Sequence, residues 1–224
     1  MPHRIKVDHV STPVNRRSYD NAERTRRSLA TRRCILDAAR ASLLAKGYRA
    51  TTIASIARDA GVHVDTVYEL VGRKPIIVRT LVETAISGTD EAVEAEERDD
   101  VRRIRSLTDP RQKLAIYAAA VRSVMARMAP LFVALRDAST TEPEAAAIWT
   151  EISERRATNM RTFAADLAAV DGLRADLPIA DAGDIVWALN SPEMYLLLTR
   201  DRGWSPEQYE RWLYDTWCRL LLPT

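Results

Sequence analysis

Three histidines, His3, His9 and His63, and two cysteines, Cys34 and Cys218, are the side chains best suited to nucleophilic or metal chemistry in this 224-residue chain. Their placement argues against both. The histidines sit towards the basic N-terminal end, the cysteines lie far apart, and no Ser/His/Asp set, glycine-rich phosphate loop or metal-ligand spacing appears. With only seven glycines in all, a phosphate-cradling loop has little to be built from. The expectation is a protein that is not an enzyme, with no metal and no cofactor. What remains is electrostatic recognition. Residues 1–50 hold 12 Lys/Arg against 4 Asp/Glu, a net of +8, whereas the rest of the chain, with 21 against 27, carries −6. The basic end needs an anionic partner.

The stretch "TTIASIARDAGVHVDTVYELV", residues 51–71, gives that partner a shape. Thr52 is placed to cap a helix whose inward residues are Ile53, Ile56 and Ala57; Gly61 takes a tight turn and Val62 fills the gap before a second helix, Val64 to Leu70. This is the pattern of a helix-turn-helix, whose second helix is small enough to enter the major groove of double-stranded DNA while the first crosses the backbone. The competing reading is a helical adaptor or ligand-binding protein in which the same unit only packs. The +8 against −6 split argues against it, because an adaptor has no reason to concentrate positive charge beside that motif.

The surrounding elements read as helices throughout. Residues 1–27 are polar and Arg-rich and are expected to form a flexible basic arm. From Leu29 to Lys46 apolar residues, including Ile35, Leu36, Ala39, Leu43 and Leu44, recur at helical spacing up to Gly47, which tolerates positive φ. Pro75 suits the first turn of a further helix, which could continue into the acidic "DEAVEAEERDD". After Pro110 a stripe of Leu114, Tyr117, Val121, Val124, Met125 and Met128 runs to an interruption at Pro130, and another from Ile148 to Val170 ends near Gly172. Asp181 is the expected cap of a helix that bends at Pro192 and stops at Gly203. Ser205 and Gln208 then form a capping box with Pro206 in the first turn and Trp204 stapled on Tyr209. An all-α protein of about nine helices follows: an N-terminal three-helix DNA-binding domain at 28–74 and a larger helical domain at 75–224. No apolar run approaches the roughly 20 residues of a membrane span, and "MPHRIKVDHV" lacks a signal-like apolar stretch, so a cytoplasmic protein with no membrane partner is expected.

The segment "TTIASIARDAGVHVDTVY", preceded by "LLAKGY" and followed by "GRKPIIVRTLVE", resembles the tetracycline-repressor (TetR) family over about residues 28–86. The resemblance implies a homodimeric transcriptional regulator, usually a repressor, that binds a palindromic operator and answers to a small-molecule effector in its C-terminal domain. It places the recognition helix at His63 to Leu70. Thr52, Tyr68 and Lys74 would then hold the phosphate backbone, and His63, Val64, Asp65 and Thr66 would face base edges. Relatives often have Arg at position 54; with Ala54 here, Ser55 or Arg58 is the substitute. Asp65 is either a specificity device accepting from a cytosine amino group or a charge that suits a helix N-terminus. The closing helices are similar to those that form the family's dimer interface, and Ile185, Leu189, Tyr195, Leu196, Leu197, Leu213, Trp217, Leu220 and Leu221 exceed what one thin helical layer can hide. Tyr117, Met125, Met128, Phe132, Trp149, Phe163 and Trp187 are candidates to line an effector cavity, and Arg156 and Asn159 interrupt an apolar stripe there. A mostly apolar effector is expected.

Overall fold

A computed structural model of the chain describes residues 16–88 and 97–223. All regular structure among them is helical: α1 (Arg16–Ala50), α2 (Ile53–Asp59), α3 (Val64–Leu70), α4 (Lys74–Ser87), α5 (Asp99–Ser106), α6 (Pro110–Ser139), α7 (Pro143–Ala168), α8 (Ile179–Leu189), α9 (Pro192–Leu196), a single π-helical turn (Leu197–Asp201) and α10 (Pro206–Leu221).

Helix α6 is the axis of the body. Leu114, Tyr117, Val121, Met125, Met128, Leu131, Phe132 and Leu135 are all buried along it, and α1, α4, α5, α7, α9 and α10 pack around it. By length and composition this helix could cross a membrane, contrary to the expectation from the sequence, but here its apolar face is spent on the protein interior. Pro130 does not end it. The ring removes one ladder bond, yet the flanking Ala129, Leu131 and Phe132 are buried, and packing on both sides outweighs the lost bond. A buried cation ties three helices together: Lys113 of α6 is fully enclosed and donates to the Ile104 carbonyl of α5 at 2.8 Å and to Asp166 of α7 at 2.7 Å.

Several expected boundaries shift for local reasons. Helix α1 begins at Arg16, so residues 16–27 are helical where a flexible arm was expected; no glycine or proline breaks the run, and Arg27 pairs with Glu23 one turn away at 2.6 Å. The remainder of that arm, 1–15, lies outside the described residues. Leu29 and Leu44 face outward, not into the core. Helix α4 stops at Gly88, which adopts φ 74° as its C-cap, so it does not run on into the acidic segment, of which 89–96 lie outside the described residues. The helix expected from Asp181 to Gly203 is broken at Asn190. Pro192 opens a new helix capped by Ser191, whose hydroxyl accepts from the Met194 amide, because the missing N–H of a proline costs nothing in a first turn. Asp181 lies in the first turn of α8 behind the cap position, Pro178. Ser205 and Gln208 form the expected capping box, while the edge of Trp204 meets Trp212 at 6.1 Å between centroids.

Helices α7 and α8 approach so closely that a Cβ on Gly183 would stand 2.7 Å from Cγ and 3.0 Å from Cα of Arg161. Gly183→Ala is therefore expected to destabilise the body by about 1–3 kcal/mol through overpacking, lowering Tm by several degrees in a thermal melt. An unchanged Tm would mean that the two helices can separate freely.

Candidate functional site

The head is fixed from its backbone turns outward. Gly47 adopts φ 75°, and Thr51 holds the chain there by donating to the Gly47 carbonyl at 2.8 Å while sharing a buried hydrogen bond with Ser42 at 3.2 Å. Thr52 caps α2 as expected, in a reciprocal box: its hydroxyl accepts from the Ser55 amide at 3.1 Å, and Ser55 Oγ accepts from the Thr52 amide at 3.1 Å. The O–H of Thr52 stays available to donate to a phosphate.

Helix α3 hangs on Val67, which is fully buried. Around that anchor His63, Val64, Asp65 and Tyr68 are exposed and Thr66 is half-buried. His63 stands at the N-cap without a side-chain capping bond, so its imidazole is not consumed by the helix. Val64 is 39% and Tyr68 49% exposed, which a helix-turn-helix serving only as packing would have covered.

Lys74 has partners within the chain. Its ammonium donates to the Tyr48 carbonyl at 3.3 Å, lies 3.8 Å from the centroid of the Tyr48 ring and stands 3.8 Å from Glu142. Tyr48 donates its hydroxyl to Glu142 at 2.6 Å, and burial together with this bond raises the phenol's pKa well beyond its ordinary value, so it remains a donor. Arg73 pairs with Glu144 at 2.8 Å. Tyr48, Arg73 and Lys74 thus tie the head to Glu142 and Glu144 at the start of α7. Nothing in the sequence announced this junction, because the two partners lie more than 60 residues from the head.

A cavity of about 560 Å³ opens between α4, α5, α6 and α7. Six of the expected residues line it: Tyr117, Met125, Met128, Arg156, Asn159 and Phe163. Three do not. Phe132 and Trp187 lie against the Arg156 guanidinium, 5.8 and 5.5 Å from its carbon to the ring centroids, and Trp149 faces Arg136 at 5.9 Å. Further lining comes from Arg79, Glu83, Arg98, Asp100 and Asn190, which no apolar stripe could have disclosed. The wall is mixed, with charged groups beside the apolar side chains of Val121, Val124, Met125, Met128 and Phe163.

The expected interface residues divide sharply. Leu213, Trp217 and Leu221 are fully buried within the chain, and Tyr195 and Leu196 nearly so; Trp217 stacks on Tyr117 at 5.3 Å and Tyr195 meets Tyr209 edge-on at 5.0 Å. These five belong to the chain's own core and have no surface left for a partner. Ile185 and Leu189 are half-buried, and Leu197 and Leu220 are 49% and 40% exposed.

Residues 35–69 match the model of the bacterial regulatory proteins of the tetR family. The match spans the later part of α1 and the helix-turn-helix of α2 and α3. Solved transcriptional regulators share the fold over most of the chain at low sequence identity. One from Saccharomonospora viridis, in complex with choline, is 18% identical with a TM-score of 0.65 over 86% of this chain and 98% of its own. FadR from Bacillus subtilis, in complex with stearoyl-CoA, is 17% identical with a TM-score of 0.65 over 83% and 96%. NalD, the secondary repressor of the MexAB-OprM multidrug efflux pump in Pseudomonas aeruginosa, is 20% identical with a TM-score of 0.64 over 86% and 96%. No curated protein matches the chain in sequence.

With a tetR-type head, the outward side chains of α3 should matter to DNA and not to folding. Tyr68→Ala is expected to leave stability within about 0.5 kcal/mol, as for an ordinary surface position, while weakening DNA binding severalfold in a mobility-shift titration. A variant that unfolds, or one that binds DNA like the parent, would remove Tyr68 from the interface.

Proposed function

We propose that the protein represses transcription as a homodimer on a palindromic operator and leaves it when a small, mostly apolar molecule fills the cavity. The observation that carries this reading is the continuity of α4. It begins at Lys74, directly after the turn that ends the recognition helix, and its later turns wall the cavity through Arg79, Glu83 and Ile86. A molecule that presses on that wall displaces the head. The complexes of similar regulators with choline and with stearoyl-CoA support a ligand-binding role for this body.

A row of ion pairs makes the coupling two-sided. Arg73 with Glu144, Lys74 with Glu142, Arg79 with Glu151 and Arg155 with Glu83 join α4 to α7 from the head to the cavity. Each is weak by itself, being partly exposed, but together they register one helix against the other. Lys74 has three N–H donors and uses one on Tyr48. A phosphate contact and the tie to the body therefore draw on the same side chain. On the DNA side, Thr52 and Tyr68 hold the backbone, Ser55 supports Thr52, and His63, Val64, Asp65 and Thr66 face the bases. The dimer forms through the outer faces of α8 and α10, with Ile185, Leu189 and Leu220 at its centre, and places the two recognition helices about 34–36 Å apart for successive major grooves. The place of action is the cytoplasm.

Linkage fixes the test. An effector releases DNA only by favouring the non-binding geometry, with couplings of about 5–150-fold being typical, and the operator must weaken the effector by the same factor. The operator is first recovered by genome-wide sequencing of DNA bound to the protein, and candidate ligands are then titrated with and without it. Equal affinities in the two titrations would contradict the reading. Glu142→Ala, which unties Tyr48 and Lys74, is expected to reduce the coupling by about threefold or more while leaving effector affinity for the free protein unchanged. Leu220→Glu is expected to convert a dimer at micromolar concentration to a monomer by light scattering; a monomeric parent would overturn the two-fold arrangement.

A further inference from the structure

Among the described residues two cations are buried in the body, and they are treated differently. Lys113 has its carboxylate, Asp166, at 2.7 Å. Arg156 is only 8% exposed, and no carboxylate among the described residues lies within ion-pair distance of it. Its Nη2 donates to the side-chain oxygen of Asn190 at 2.9 Å and to the Asn190 carbonyl at 3.3 Å, both neutral acceptors. Glu193, the carboxylate whose field reaches it, is already paired with Arg136 at 2.5 Å. An isolated buried guanidinium is costly, since it keeps its proton and cannot escape the penalty by neutralising.

The surroundings hold this cation in place without discharging it. Phe132 and Trp187 flank the guanidinium with ring faces, and Asn190 is itself steadied by donating towards the Tyr117 hydroxyl at 3.4 Å. Arg156 and Asn190 both line the cavity, whose other walls include Val121, Val124, Met125, Met128 and Phe163. Among the described residues no acceptor is bonded to the Nε or Nη1 donors of Arg156, which leaves N–H groups free for the oxygens of an oxyanion. At about 560 Å³ the cavity has the size of a site for one small molecule.

We infer that the cavity takes an amphipathic acid: one carboxylate or phosphate headgroup held by Arg156 beside Asn190, with an apolar body along the Met125, Met128 and Phe163 wall. The inference rests on the effector reading of the cavity and adds to it the chemical class of the ligand. Arg156 is kept at a cost to the empty protein because the ligand brings the missing countercharge.

Matched probes separate the head from the body of such a ligand. Decanoate, decyl phosphate and 1-decanol, all below micelle-forming concentrations, are titrated into the full-length protein without DNA, by calorimetry and by the emission of the tryptophans, Trp187 standing beside the guanidinium. At least one of the two acids is expected to bind about tenfold or more tightly than decanol, the scale of a charge-assisted hydrogen bond. Arg156→Met is expected to abolish that preference while binding decanol as the parent does, and Arg156→Lys to recover it in part. The Tm of ligand-free Arg156→Met is expected to match or exceed that of the parent, because an uncompensated buried charge has been replaced by an apolar side chain. Decanol binding as tightly as both acids, neither acid binding at millimolar concentration, or undiminished acid affinity in Arg156→Met would overturn the inference. A fall in the Tm of Arg156→Met would overturn the claim that this cation costs the empty protein. The effector reading is judged separately. An acid bound through Arg156 that leaves operator affinity untouched would confirm the site and end its regulatory role, whereas a neutral molecule that releases DNA equally from parent and Arg156→Met would do the reverse.

Discussion

A thirty-residue helix with apolar side chains around much of its circumference must be covered on nearly every side, and this requirement on α6 organises the body. Helices α1, α4, α7, α9 and α10 meet it by packing, and the buried Lys113 with Asp166 closes the end near α5. Between α4, α5 and α7 the cover stays open, and the space left is the cavity. The cavity is thus a gap in the coat of one helix. Its polar equipment comes from α4, α5 and α7 and from Asn190, the residue at which the C-terminal helix breaks before Pro192.

The same coat attaches the head. Helix α4 serves as one side of the cover and as the stem of the helix-turn-helix, so the position of the recognition helix is set by how α4 lies on α6 and α7. Tyr48, held by Glu142 at 2.6 Å, and Arg73, held by Glu144 at 2.8 Å, pin the base of that stem to the start of α7. Because α7 also carries Arg155, Arg156 and Asn159 into the cavity, occupancy and head position share one pair of helices. No long chain of contacts is required between them.

What the sequence disclosed follows from the range of the physics involved. The cap at Thr52, the capping box at Ser205, the glycine turns at Gly47, Gly61 and Gly203, and the stripe from Leu114 to Met128 are local, and each was legible from spacing. The head was legible for the same reason, since its turn and caps lie within about twenty residues. Which apolar residues face a partner and which face the core depends on how helices stack. Trp217 and Leu221 therefore read as interface and proved to be interior, while Phe132 and Trp187 read as cavity wall and proved to flank Arg156. Arg156 stood out as a break in an apolar stripe; that it lacks a countercharge is a long-range fact, fixed by Asn190 arriving from another helix.

The central proposal is that the cavity is coupled through α4 and α7 to the spacing of the two recognition helices in the proposed dimer. It is tested most directly by the distance between paired spin labels at Glu69→Cys on α3, in a dimer whose Cys34 and Cys218 have been replaced by serine, using pulsed electron–electron resonance. Operator DNA is expected to narrow the distribution to a single spacing, and an acid that binds through Arg156 to shift it to a different one. Identical distributions with DNA and with the bound acid would contradict the account.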